Sequence, residues 1–155
     1  MATEIERKFL VKDSAWRTQV SRSERYRQGY LNDAERCSIR LRVADGGAYI
    51  NIKSATLGIQ RTEYEYAIPL VDANEMLERF CLGAVIDKTR HFVTVERHLW
   101  EIDVFAGDNA GLVVAEIELA AEDEPFTRPN WVGEEVSHDP RYYNVSLVTH
   151  PFKNW

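Results

Sequence analysis

Charges in this chain recur at alternate positions, in pairs of like sign. Acidic pairs stand at Glu4/Glu6, Glu63/Glu65, Glu101/Asp103 and Glu116/Glu118. Basic pairs stand at Arg40/Arg42 and Lys88/Arg90, with Lys53 alone on its segment. Spacing of i, i+2 puts both members of a pair on one face of a β-strand, because successive side chains point to opposite sides. The intervening positions are apolar: Ile5 and Phe9, then Ile39, Leu41 and Val43, Ile50 and Ile52, and later Trp100, Ile102, Ile117 and Leu119. Such alternation, repeated over the chain with short turn-rich breaks, predicts a mainly β fold of roughly eight strands with a few helices (α+β).

Each strand then has a charged face and an apolar face, and two arrangements are open. An ordinary barrel keeps its apolar faces inside. The inverse barrel turns the charges inward around a polar tunnel and leaves its apolar faces to be covered by helices or a partner subunit. Alternation alone does not choose between them, but the segregation of sign by strand favours the tunnel. Like charges directly opposite one another destabilise a sheet, so a solvated face tends to mix signs. The Glu101/Asp103 and Glu116/Glu118 segments read as a hairpin, where facing carboxylates repel unless a cation lies between them. A divalent metal is a natural remedy, since hard oxygen ligands suit it.

The segments between fill in the architecture. T-E-I-E-R-K-F-L (Thr3 to Leu10) is the first strand, with Glu4, Glu6 and Lys8 on one face. Asp13 to Ser23 is irregular, anchored by Trp16. Glu24 to Leu31 is a strand in which Gly29 signals a bulge or a close approach. C-S-I-R-L-R-V, the A-D-G-G turn and A-Y-I-N-I-K-S form a hairpin whose register should bring Arg40, Arg42 and Lys53 together. Gln60 to Pro69 is a further strand. Asp72 followed by Glu75 resembles a capping box opening a short helix, with Met76, Leu77 and Phe80 on its apolar side and Gly83 as its stop. A strand from Ala84 to Val95 and the acidic hairpin follow. The tail through Trp131 is irregular, and Asp139 with Pro140 predicts a second helix running to about Val148.

Bulk properties narrow the function. A chain of 155 residues, 45% hydrophobic and 28% charged, suits one domain over residues 1–155 with a real core. Its net charge of −6 argues against a general nucleic-acid binder. No apolar run is long enough for a membrane, and charged strand sequence follows the N-terminus at once, so a cytoplasmic protein is expected. Cys37 and Cys81 lack metal spacing and read as buried thiols, with no disulfide expected. Arg forks and Lys ammonium groups gathered in a tunnel suit a polyanionic phosphate chain, and carboxylate-held metal suits phosphoryl transfer.

The residues resemble a known family. E-I-E-R-K matches the E-x-E-x-K signature of the CYTH superfamily, the triphosphate tunnel metalloenzymes. R-L-R, the Lys53 strand, E-Y-E, K-T-R, E-I-D and E-I-E follow in the family's order over nearly the whole chain. R-Q-G-Y-L and W-V-G-E-E-V resemble its short bacterial members, which are similar to inorganic triphosphatases. The resemblance implies an eight-stranded antiparallel closed barrel and hydrolysis of tripolyphosphate to pyrophosphate and phosphate. It implies Lys8, Arg40, Arg42, Lys53, Lys88 and Arg90 as triphosphate ligands. Glu4, Glu6, Asp103, Glu116 and Glu118 would hold Mg²⁺ or Mn²⁺, and Glu63 and Glu65 a second metal or the attacking water. Lys8, Tyr30 and Lys88 are the candidates for catalysis, with a packed aromatic as the alternative reading of Tyr30. Glu101 is read as structural. The C-terminal helix is expected to close one tunnel mouth, and the apolar outer faces point to a homodimer. The alternatives are a thiamine or nucleoside triphosphatase, a class IV adenylate cyclase, or a non-catalytic polyphosphate-binding protein.

Overall fold

The computed structural model describes residues 3–33 and 35–155. Nine strands form: β1 (Thr3–Val11), β2 (Arg22–Tyr30), β3 (Cys37–Ala44), β4 (Gly47–Ser54), β5 (Gln60–Ile68), β6 (Leu82–Val95), β7 (His98–Phe105), β8 (Val113–Glu118) and β9 (Val132–Glu135). Two helices accompany them, α1 (Leu70–Arg79) and α2 (Asn144–Leu147). Spatial order is β5-β4-β3-β2-β6-β7-β8-β1-β9, and an added β5–β1 pairing closes the ring. Every pairing is antiparallel. The result is the closed eight-stranded barrel, with β9 as an extra strand.

Closure depends on β1. Along one edge, Glu6 to Leu10 pair with β8. The opposite edge is divided: Thr3 to Ile5 pair with β5, while Phe9 and Val11 pair with β9. Neither edge of β1 is left open, so the barrel has no exposed template for strand addition there.

The charged faces point inward. On the outside, Phe9, Trp100, Ile102, Ala115 and Ile117 are buried together with Trp16, Trp131 and Val132. Their cover is a 3₁₀ turn at Ala15–Gln19 and the coil before β9, not the two helices. Edge-on contacts among Phe9, Trp100, Phe126 and Trp131, at centroid distances of 5.6 to 6.0 Å, fasten that coil to the barrel wall. Helix α1 lies over β3 and β4, burying Ala73 and Leu77.

Several local expectations change. The capping box at Asp72 does not form: α1 begins at Leu70, with Pro69 as its N-cap. Asp72 instead sits in the first turn, where a carboxylate complements the helix dipole. Phe80 is exposed. Gly83 does not end the helix; it lies inside β6 at φ 62°, where its α-carbon faces the Val148 carbonyl too closely for a side chain. Between Gln28 and Tyr30, two residues of β2 oppose Leu82 to Ile86 of β6, so the extra residues sit on the partner strand. Gly29 serves the close approach, since a β-carbon there would stand 2.4 Å from Cys81 Sγ. The C-terminal helix is broken at Tyr143 into a 3₁₀ turn at Pro140–Tyr142, capped by Asp139, and α2. Strand β9 lay in a segment that reads as irregular; with only four residues, it carries no alternation to detect. Both cysteines are free, but they are half-buried rather than buried as expected. Among the described residues, no helix is long and apolar enough to cross a membrane.

Candidate active site

Inside the barrel runs a cavity of about 230 Å³. Its walls include Glu4, Glu6 and Lys8 from β1, Arg40 and Arg42 from β3, Lys53 from β4, Glu63 and Glu65 from β5, Lys88 and Arg90 from β6, and Glu116 and Glu118 from β8. Tyr30 lines it too, packed beside Ile86, Phe105 and Leu147. The expected hairpin register holds: Ser38 faces Lys53, Arg40 faces Asn51 and Arg42 faces Tyr49, so the three cations converge.

One candidate stands apart. Asp103 is fully buried and does not line the cavity. Its carboxylate accepts from Lys88 Nζ at 2.7 Å and from two nitrogens of Arg90 at 2.7 and 2.8 Å. Burial works against its charge, yet Arg90 and Lys88 hold the carboxyl below its usual range. Lys88 is pulled down to about 7, by burial first and against the attraction of Asp103. With both oxygens engaged by cations, Asp103 serves here as the counter-ion of Lys88 and Arg90. Arg90 also donates to Glu101 and to Glu116, the latter at 3.1 Å. Glu101 and Glu116 face each other across β7 and β8, as the acidic hairpin requires. The Arg90 guanidinium lies between them and donates to both.

Elsewhere the cations are paired more loosely. Lys53 meets Glu4 at 3.0 Å, Lys8 meets Glu116 at 3.3 Å, and Arg40 meets Glu63 at 3.8 Å. Burial opposes the charge of Glu116, but Lys8 and Arg90 hold it well below the carboxylate range. Arg42 makes no ion pair among the described residues. It donates to Gln28 at 3.1 Å, and burial beside Arg40 and Arg90 lowers it to about 10.

Glu6 is different. It faces Glu118 across β1 and β8. Burial, then Glu116 and Glu4, push its carboxyl up to about 8. Glu118 and Glu63 are also raised, first by burial and then by neighbouring carboxylates. This crowding of hard oxygen donors with excess negative charge fits a divalent cation. Among the described residues, no three such groups are drawn into a closed coordination set.

Sequence reasoning missed several lining residues: Asn51, Arg61, Glu101, Tyr143 and Asn144. Parity places Arg61 and Asn51 on inward faces, and that signal was available. Asn51 donates to Glu63 at 3.0 Å and to Glu65 at 2.6 Å. Tyr143 and Asn144 come from the broken C-terminal segment. There Lys8 and Arg61 lie over the Tyr143 ring, at 5.6 and 4.9 Å from its centroid.

Residues 2–150 match the CYTH domain. The chain belongs to the CYTH family. Among CYTH relatives, an inorganic triphosphatase of Acetivibrio thermocellus is 45% identical over 155 residues, covering 100% of this chain and 99% of that one. A second inorganic triphosphatase, of Nitrosomonas europaea, is 38% identical over 150 residues, covering 94% and 97%. The crystal structure of an inorganic triphosphatase superposes with a TM-score of 0.68 at 36% identity, covering 96% of this chain and 95% of that one. These CYTH relatives share the length of the chain as well as its fold.

Proposed function

We propose that this CYTH protein, acting as one domain, hydrolyses inorganic tripolyphosphate to pyrophosphate and phosphate with a divalent metal, Mg²⁺ or Mn²⁺. One observation carries the reading: a charged tunnel is lined by cations from β1, β3, β4, β5 and β6, and its lining includes Tyr143, Asn144 and Val145 of the C-terminal segment. Its lining has few apolar residues to receive the base of a nucleotide or the rings of thiamine. The two inorganic triphosphatases of matching length support the same substrate.

Arg40, Arg42, Lys53 and Lys8 bind the phosphate oxygens, and Arg42 is the strongest claimant because no carboxylate neutralises it. Glu4, Glu6, Glu116 and Glu118 hold the metal, with Glu63 and Glu65 on the neighbouring wall. A divalent metal held by these carboxylates would supply Lewis-acid neutralisation of the phosphate charge during cleavage of the anhydride. Lys88, pulled down to about 7, lines the tunnel together with Tyr30 and is suited to managing a proton at Nζ. Arg90 fixes Glu101, Asp103 and Glu116.

A phosphate-release assay over tripolyphosphate, ATP and thiamine triphosphate, with and without Mg²⁺ or Mn²⁺, tests the proposal. The expected result is metal-dependent release, fastest on tripolyphosphate. No release from any substrate refutes the hydrolase, and cyclic AMP from ATP makes it a cyclase.

A further inference from the structure

Gln28 is fully buried inside the barrel. Nothing in a strand demands an amide at that depth, and an unsatisfied one is costly. Its oxygen accepts from Arg42 Nε at 3.1 Å. Its nitrogen donates to Asn144 Oδ1 at 2.8 Å. The same Asn144 oxygen accepts from Lys88 Nζ at 3.0 Å. An unbroken hydrogen-bonded chain thus joins Arg42, Gln28, Asn144 and Lys88.

Its polarity has one solution. Guanidinium and ammonium groups only donate. Arg42 therefore compels Gln28 to present its oxygen on that side and its nitrogen on the other. The Gln28 nitrogen compels Asn144 to present oxygen, and that oxygen is what Lys88 needs. Were Asn144 turned over, its NH₂ would meet two donors. Lys88 has three N–H groups. One is taken by Asp103 at 2.7 Å and one by Asn144, and Lys88 is among the residues that line the cavity. Two fixed bonds at a tetrahedral nitrogen fix the direction of the third.

We infer that Gln28 and Asn144 are positioning residues, which aim the free N–H of Lys88 into the tunnel and do so only when the C-terminal segment is docked. Asn144 is the first residue of α2, so the C-terminal segment also completes the orientation of the lysine. Docking of that segment and activation become one event. The inference rests on the triphosphatase reading for its consequence in turnover, but the hydrogen-bonded chain itself is independent of that reading.

The test compares Asn144→Leu with Asn144→Asp on tripolyphosphate. Leucine keeps the volume and removes the acceptor; aspartate keeps an acceptor for both donors. A bystander in the fold predicts equal damage from both. Positioning predicts that Asn144→Leu lowers kcat about tenfold or more with KM changed less than about twofold, since Lys88 keeps its charge but loses its aim. Asn144→Asp should hold kcat within about threefold of the parent. Gln28→Met should lower kcat as well, and Gln28→Met/Asn144→Leu should be no worse than Asn144→Leu alone, because both act through one chain. Unchanged kcat in Asn144→Leu, a loss confined to KM, or an aspartate variant as poor as the leucine one would overturn the inference. A melting cycle over Asn144→Leu and Lys88→Met reads the link without activity. Non-additive shifts in Tm support it and additive shifts refute it, even if the parent protein splits no tripolyphosphate.

Discussion

Two carboxylate clusters share one barrel and face opposite fates. At Asp103, Lys88 and Arg90 approach within 2.7 Å, and the buried acid is compensated on both oxygens. At Glu6, the strand partner is Glu118, and burial with Glu116 and Glu4 drives the carboxyl up to about 8. Both acids belong to i, i+2 pairs of the same appearance in the sequence. What separates them is which strand lies alongside. Strand β7 lies beside the basic β6, so its acids are neutralised within the protein. Strand β1 lies beside the acidic β8, so charge is left for a cation from solution. A like-charge cluster inside a fold marks a site for a ligand only where the neighbouring strand supplies no counter-charge.

The contrast is most exposed at Glu6. Glu6→Gln should reduce Mg²⁺-dependent turnover by more than about 100-fold, measured as phosphate release at saturating tripolyphosphate. Wild-type turnover in that variant would put the metal elsewhere. Asp103→Ala should act on stability instead. It leaves Lys88 buried without its ion-pair partner and strips Arg90 of two of its bonds, a loss of about 3–5 kcal/mol in chemical denaturation. An Asp103→Ala protein as stable as the parent would erase the distinction between the clusters.

Metal removal gives a smaller effect. Chelation should lower the Tm of the parent, because a cation bound only by the folded state stabilises it by about 3 kcal/mol at a hundredfold excess over its Kd. Glu6→Gln should show little of this shift, and its metal-free Tm should equal or exceed that of the parent, since one of the crowded negative charges is gone. A metal-free Tm well below the parent would mean that Glu6 is compensated after all.

The smallest effect lies outside the barrel. Arg7 donates to Glu135 at 2.9 and 2.5 Å, tying β1 to β9. That bond holds the Glu135 carboxyl below the ordinary glutamate value. A lowered carboxyl contributes stability that is complete above its unfolded value near 4.5 and is lost as pH falls through the folded one. Glu135→Gln should therefore cost no more than about 1 kcal/mol at pH 7, and its melting curve should converge on that of the parent as the pH approaches 3. A gap persisting in acid would show that the pair acts by packing rather than charge.

Much of this was legible from local pattern. Pair spacing revealed eight strands and their inward faces, because side-chain parity in a strand is strictly two. The sign of each strand pointed to a polyanion and a metal. Helix ends were less legible. Asp72 and Glu75 have the spacing of a capping box, but the chain turns helical at Leu70 once Pro69 has left β5. Asp139 does cap its turn, yet the helix breaks at Tyr143, whose hydroxyl donates to the Ser137 carbonyl at 2.7 Å and draws the backbone away. Asn144 was invisible as a site residue because its partners, Gln28 and Lys88, are 116 and 56 positions distant.

By itself, the sequence determined that the strands would be two-faced and that like charges would pair at alternate positions on one face. Those properties follow from the alternation of the strand and need no knowledge of its neighbours. Only the tertiary structure decided which acids remain acids in need of a cation. The decision is made by adjacency around the closed barrel, through charges a few ångströms apart in a medium that screens them poorly. Adjacency set Arg90 between Glu101 and Glu116, left Glu6 against Glu118, and brought Asn144 to Lys88 from the far end of the chain.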